Sequence, residues 1–296
     1  MSLLHPQLAA FMAVIDEGSF ERAARRLSLT PSAVSQRIKA LEERLGQILI
    51  LRQAPCRTTA AGQQLLRSVQ QMRLLEIETL DGFGAHNDEM AGGRVSMAVN
   101  ADSLATWLLE PLAELHREHG LLFDLRVEDQ DHSTRLLREG NVLGAVTADA
   151  HPVQGCHVEP LGTMRYLPVG SPALVERYFG AGVDARSLGQ APMLVFNRKD
   201  DLQARFARSV TRATLAPPVH YVPSSTAFVE AATLGMGWAM APESLLAKPL
   251  AAGALRVLAP KRWLDVPLYW QHWSLRARML SAITKVLRKA ARDALR

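Results

Sequence analysis

Phe20–Gly46 reads FERAARRLSLTPSAVSQRIKALEERLG, and its punctuation decides the fold of the N-terminal part. Apolar residues recur three and four apart, first Phe20, Ala23, Ala24 and Leu27, then Val34, Ile38, Leu41 and Leu45. That spacing marks two amphipathic helices. Between them, Thr30 is a good N-cap, and Pro31 suits the first helical position, where a missing N–H costs nothing. Gly46 stops the second helix. Upstream, Leu8, Phe11, Met12 and Ile15 make one face of an earlier helix, which Gly18 ends. Ser19 then caps the helix in which Glu21, Arg22, Arg25 and Arg26 point outward.

Two helices joined by a short turn, the second longer and well capped, form the helix-turn-helix layout, whose second helix enters the DNA major groove by its N-terminal end. That end exposes Ser32, Ser35, Gln36, Arg37 and Lys39; Gln pairs with adenine, Ser with either kind of base, and Lys with phosphate or guanine. A small three-helix bundle with a polar face shares the periodicity, but the caps, the turn and the polar tip together favour DNA. Downstream, two short β-prone pieces flank Gln53-Ala54-Pro55 and read as a wing, with Arg52 and Arg57 beside its tip. The candidate DNA-contacting set is Ser19, Thr30, Pro31, Ser32, Ser35, Gln36, Arg37, Lys39, Arg52 and Arg57.

Thr59 caps a long helix reaching Gly82, about 35 Å by the rise per residue. Leu65, Val69, Met72 and Leu80 form much of one stripe, with Leu75 nearby. A second copy of the chain is the cheapest partner for that stripe, and a two-fold dimer offers two heads to a symmetric operator. The helix-turn-helix run, the wing and the TTAAG helix start closely resemble the LysR-type transcriptional regulators. The resemblance implies a winged helix-turn-helix, a linker-helix homodimer, commonly a homotetramer, and a two-lobed effector domain. It implies binding to an interrupted inverted repeat in double-stranded promoter DNA, with RNA polymerase as a further possible partner.

The chain has 296 residues, enough for two or three domains, and a net charge of +5. The basic surplus sits at residues 1–60 and 261–296, around an acidic middle, so different regions suit different partners. No apolar run reaches the roughly 18 residues needed to cross a bilayer. The opening MSLLHPQLAAFMAVIDEG mimics a signal peptide but lacks a basic start and carries Asp16 and Glu17; a cytoplasmic protein without a membrane partner is expected. Cys56 and Cys156 stand too far apart for a metal motif and read as free thiols.

Glycines 82, 84, 92 and 93 mark a hinge. Beyond it RVSMAVN, LLFDLRVED and NVLGAVTAD read as strands, separated by the helices DSLATWLLEPLAELHREHG and STRLLREG; this βαβαβ order predicts a parallel sheet. RYLPVG, MLVFN, VHYVPSS and MGWAMAPES repeat the pattern with SPALVERYFG, DLQARFARSV and TAFVEAATLG. Two similar lobes suggest a clamshell like that of periplasmic binding proteins. The resemblance returns the last strand, PLYWQHW, and the basic last helix to the first lobe. The expected class is α/β: residues 1–58 a winged helix-turn-helix DNA-binding domain, 59–91 linker helix and hinge, and 92–296 a periplasmic-binding-protein-like effector domain. Its lobe I spans about 92–163 and 267–296, and its lobe II about 164–266.

Ligands in open α/β sheets bind beyond the carboxyl ends of the strands. Those ends carry Asn100–Ser103, Glu128–Asp129, Thr147–Asp149, Asn197–Asp201 and Ser224–Thr226. NADSLATWLL, RVED, GAVTAD, PSSTAFVEAA, NRKDD, LYW and SAVSQRIK resemble the arginine/lysine-responsive subgroup of the same family, often called ArgP or LysG, over almost the whole chain. That implies a sensor of lysine or arginine controlling an amino-acid transport or export gene. One departure is Arg198-Lys199, which places positive charge near the supposed cation site; a regulator answering a different small metabolite is the alternative.

The chemistry fits a free amino acid. Ser103 and the N–H groups at its helix start suit a carboxylate, as do Ser224, Ser225 and Thr226. A cationic side chain requires an acid, since an unpaired buried charge is costly; Asp102, Glu128, Asp129, Asp200 and Asp201 qualify. Singly, Asp102 or Ser103 reads equally well as an N-cap and the other acids as solvated strand ends; the cluster favours a pocket. The effector set is Asn100, Asp102, Ser103, Glu128, Asp129, Thr147, Asn197, Asp200, Ser224 and Ser225. An α/β enzyme is the weaker reading: G-x-S-x-G, Walker, G-x-G-x-x-G and HExxH motifs are all missing from the sequence. His116 and His119 read as solvated, and no catalytic residue, cofactor or metal is expected. A solute-binding protein would share the two lobes but not the DNA-binding head.

Overall fold

The computed structural model describes residues 3–82, 94–128, 130–275 and 277–296. Its first 58 residues fold as α1 (Pro6–Glu17), α2 (Phe20–Arg26), α3 (Pro31–Leu45) and a two-stranded wing, β1 (Ile50–Leu51) against β2 (Arg57–Thr58). The caps are those the sequence predicts. Ser19 Oγ accepts from Arg22 N–H, and Thr30 Oγ1 accepts from Ala33 N–H at 3.2 Å. Phe11, Val14, Ala23, Ala24, Val34, Ile38, Leu41, Leu49 and Leu66 form the core. Some expected core positions differ. Leu45, in the last turn before Gly46, is 46% exposed, whereas α1 buries Ala10, Ala13 and Val14 and only half-buries Leu8 and Ile15. Helix α1 is clasped by both α2 and α3, so its buried face is wider than one stripe.

Helix α4 (Ala60–Gly82) leaves this head. Leu66, Val69 and Leu74 are buried within the chain, while Met72 and Leu75 stay exposed. Except for Gly82, the expected hinge glycines lie outside the described residues, as does Asp129.

The second part begins with β3 (Arg94–Val99), flanked in parallel by β4 (Leu122–Val127) and β5 (Gly144–Thr147). Between β3 and β4 the expected single helix is two, α5 (Ala101–Thr106) and α6 (Leu109–His119). The break lets the adjacent Trp107 and Leu108 both enter the core, where an unbroken helix would turn them about 100° apart. Helix α7 (Gln130–Glu139) leads into β5.

The sheet is mixed rather than parallel. A long strand, β6 (Cys156–Gly170), pairs antiparallel with β11 (Leu264–Trp273) along most of that strand's length, and β11 pairs antiparallel with β5. The expected strand RYLPVG is only the far end of β6. The near end was hidden by Pro160 and Gly162, both strand breakers. A register shift at Leu268/Tyr269 absorbs them, with Gly162 at φ 142°. Antiparallel pairing follows because β6 and β11 carry the chain between lobes in opposite directions.

Past the crossover, β6 pairs antiparallel with β9 (Ala239–Pro242) and β10 (Arg256–Val257). β7 (Met193–Val195) and β8 (Val219–Tyr221) form a parallel pair beside them. Around these strands lie α8 (Pro172–Phe179), α9 (Ala185–Gln190), α10 (Leu202–Val210), α11 (Ser225–Thr233) and α12 (Glu243–Ala251). The sequence pattern does not predict α9 or α12; α12 contains Pro249, which in sequence argues for a break. Helix α13 (Arg278–Ala294) packs its apolar face, including Leu280, Ile283 and Leu287, on the first lobe against α6 and β6. At the sheet centre Gly144 lies flat on the Trp270 ring; any added Cβ would collide with it.

Candidate functional site

At the N-terminal head, Gln36 and Lys39 stand exposed on α3, with Ser32 beside Thr30 at its tip. Ser19, Thr30 and Pro31, all named as DNA contacts, serve visibly as helix starts. Lys39 makes only a loose surface pair with Glu43 at 3.7 Å. Arg52, from the wing, lies over the Phe20 ring and reaches Ser35 Oγ at 3.4 Å, so wing and helix share one polar surface. Glu42 Oε1 holds the two together by accepting from Leu49 N–H at 2.8 Å and Ile50 N–H at 3.3 Å. Arg57 stays exposed on the second wing strand.

The second candidate site lies where α5, α10 and α11 begin; Asn100 and Ser224 cap α5 and α11 with their side chains, while Asp201 precedes α10 without a side-chain capping bond. Asn100, not Asp102 or Ser103, is the cap: its Oδ1 accepts from Ser103 N–H at 2.8 Å. The Ser103 N–H is thereby taken, while the Ser103 hydroxyl is fully buried without a hydrogen-bond partner. Freed from capping, Asp102 turns into the protein. Its Oδ2 accepts from the Tyr166 hydroxyl at 2.7 Å, and Ser225 of α11 faces it from the other lobe. Burial pushes the Asp102 carboxyl above its ordinary range, with the Ser225 and Tyr166 hydroxyls pulling it back and the charge of Asp200 pushing it up. The Tyr166 phenol is driven well above its usual value by burial and then by Asp102.

The structure thus gathers Asp102, Ser225 and Asp200, and adds Tyr166, which the sequence reading missed. Glu128 and Thr147 end the strands on either side of β3, and Glu128 N–H donates to the Val99 carbonyl. Others do local work. Asn197 Oδ1 accepts from the N–H groups of Lys199 and Asp200. Asp200 accepts from Phe196 and Leu202 N–H, pinning the loop. Asp201 faces outward to Arg205 and Arg208, and Ser224 caps α11 from an exposed position. Arg198 is stacked over the Tyr221 ring at 5.3 Å.

Among the described residues, few buried side-chain polar atoms lack a partner. They include Ser103 Oγ, Ser225 Oγ and both amide atoms of Gln203, one on each of the three helices that start here. Buried polar groups are normally satisfied, so these unmet donors and acceptors set the three helix starts apart from the rest of the interior. Gln203 was also missed; a glutamine at the second position of an amphipathic helix carries no signal of burial in sequence. Among the described residues, no helix is long and apolar enough to cross a membrane.

Residues 5–63 match the family described as "Bacterial regulatory helix-turn-helix protein, lysR family", and residues 88–296 match the "LysR substrate binding domain". The lysine export transcriptional regulatory protein LysG of Corynebacterium efficiens is 43% identical over 290 residues, covering 98% of each chain. The crystal structure of ArgP from Mycobacterium tuberculosis superposes with a TM-score of 0.88 at 48% identity, covering 99% of both chains. Full-length LysG from Corynebacterium glutamicum with bound effector Arg gives 0.78 at 40% identity, covering 99% of this chain and 100% of that one.

Proposed function

This chain belongs to the lysR family and is a LysR-type transcriptional regulator of the ArgP/LysG type, and we propose that it senses a free basic amino acid, arginine or lysine, and in response controls transcription of a gene for amino-acid transport or export. The carrying observation is Asp102: a half-buried carboxylate that, among the described residues, has hydroxyl neighbours and no cationic side chain paired with it. An ammonium or guanidinium of the effector would supply the missing charge. The unpartnered hydroxyls of Ser103 and Ser225 and the Gln203 amide supply hydrogen bonds for the α-amino and α-carboxylate groups. The related LysG structure with bound arginine supports the chemical class, and the name of the Corynebacterium efficiens relative supports the target class.

The signal would leave through the two lobes. Asp102 sits on the first lobe and Ser225 on the second, so a molecule touching both favours one lobe arrangement by its difference in affinity for the two. The output surface is α3 with the wing, presented twice by a homodimer joined through α4, whose Met72 and Leu75 are exposed, and four times by a homotetramer. RNA polymerase is the natural downstream partner of such a protein at a promoter. Footprinting DNA that the protein selects from fragments of its own genome, with and without L-arginine or L-lysine, tests the reading. An altered footprint with basic amino acids and an unaltered one with glutamine is expected; identical footprints throughout would overturn it.

A further inference from the structure

We propose that Tyr166 is the positioning residue of the effector site: its hydroxyl fixes Asp102 Oδ2 so that the other carboxylate oxygen is presented to the cationic group of the ligand. This rests on the proposed sensing of a basic amino acid.

Tyr166 lies on β6, where that strand has crossed into the second lobe, and pairs with Pro242 of β9. Its ring belongs to the main core cluster and is 4% exposed, so an incoming ligand cannot push it aside. The bond to Asp102 at 2.7 Å is short, as expected of a hydroxyl donating to a carboxylate. One oxygen is therefore committed to the protein. A carboxylate has capacity for further donors, and the hydroxyl of Ser225 faces it without completing a bond of its own. The charged groups acting on the pair are Asp200, whose negative charge disfavours a second anion, and Arg205, which acts on the phenol. The phenol stays protonated throughout the physiological range, because burial and the neighbouring acids raise it. It is thus a permanent donor that holds the acid without competing for its charge. A structural consequence follows: the acid that would hold the effector on the first lobe is tied directly to the strand that joins the lobes.

The test compares wild-type and Tyr166→Phe full-length protein by calorimetric titration with L-arginine and with L-citrulline, its uncharged counterpart, from pH 5 to 8. Loss of a hydrogen bond to a charged group should weaken arginine binding about 10-fold or more. The same change should move the acid limb of arginine binding to higher pH, because Asp102 loses a donor that favours its charged form. A merely structural tyrosine would weaken binding equally at every pH. Unchanged affinity, or a drop without movement of the acid limb, overturns the proposal. If wild-type protein binds no basic amino acid at all, the sensing reading itself fails. Should Tyr166→Phe not fold, 3-fluorotyrosine-labelled wild-type protein carries the test. Its one fluorine resonance shielded from a soluble paramagnetic agent should move with arginine and stay with citrulline; no movement with arginine contradicts the role.

Discussion

Asp102, the second residue of α5, accepts a 2.7 Å hydrogen bond from Tyr166 on the strand that links the two lobes. This carboxyl is raised mainly by its burial. An acid with a raised folded pKa costs stability once pH exceeds the unfolded pKa, and that cost disappears as pH falls below it. Asp102→Asn should therefore raise the melting temperature of the effector-free protein at pH 7, and the gain should vanish in acid. The same variant should respond less to arginine and lysine. Thermal unfolding from pH 3 to 8 checks the first part: a variant less stable than wild type at pH 7 would contradict it.

Gln36 is exposed on the leading half of α3 and able to read a base edge, whereas Arg57 suits the phosphate backbone. Gln36→Ala should lower the preference for operator over random DNA by roughly 1–3 kcal/mol if it makes a bidentate base contact. Arg57→Ala should weaken both kinds of DNA alike and reduce the salt slope by about 1. Titrations of both variants at several salt concentrations separate these outcomes. Equal losses on the two DNAs for Gln36→Ala would assign it to the backbone.

Met72 and Leu75 are 47% and 43% exposed on a helix whose other apolar residues are mostly covered. A double Met72→Glu, Leu75→Glu change should leave the head and effector lobes folded while lowering the oligomeric mass. Light scattering combined with circular dichroism checks this; an unchanged mass would place the self-association surface elsewhere.

Gly144 leaves no room for a side chain against the Trp270 ring. Gly144→Ala should destabilise the effector domain by about 1–3 kcal/mol, the usual cost of overpacking. Denaturant unfolding followed by tryptophan fluorescence measures it, and a neutral result would mean that β5 and β11 separate easily.

The helix-turn-helix was legible because its determinants are local: Ser19 and Thr30 cap at short range, Gly46 stops α3, and the apolar spacing needs no distant partner. The crossover strand was not. Pro160 and Gly162 read as breakers, and only the antiparallel partner β11 and a shifted register make them part of a strand. The effector site was half legible. Strand ends pointed to the start of α5, but three residue types able to cap stood within four positions, and only the fold assigned the cap to Asn100 and released Asp102. Tyr166 was invisible for a related reason. A tyrosine in a strand of buried residues reads as core, and its meeting with Asp102, 64 positions away, is a tertiary fact.

Asp102 is a carboxylate in want of a positive charge. Calorimetric titration of the full-length protein with L-arginine, L-lysine, L-glutamine and L-citrulline at pH 7.5 shows whether a basic amino acid brings it. Saturable binding of arginine or lysine is expected, with the uncharged pair binding at least ten times more weakly, because the half-buried acid is then left without its partner. Equal binding of citrulline and arginine, or binding of none of the four, would contradict it.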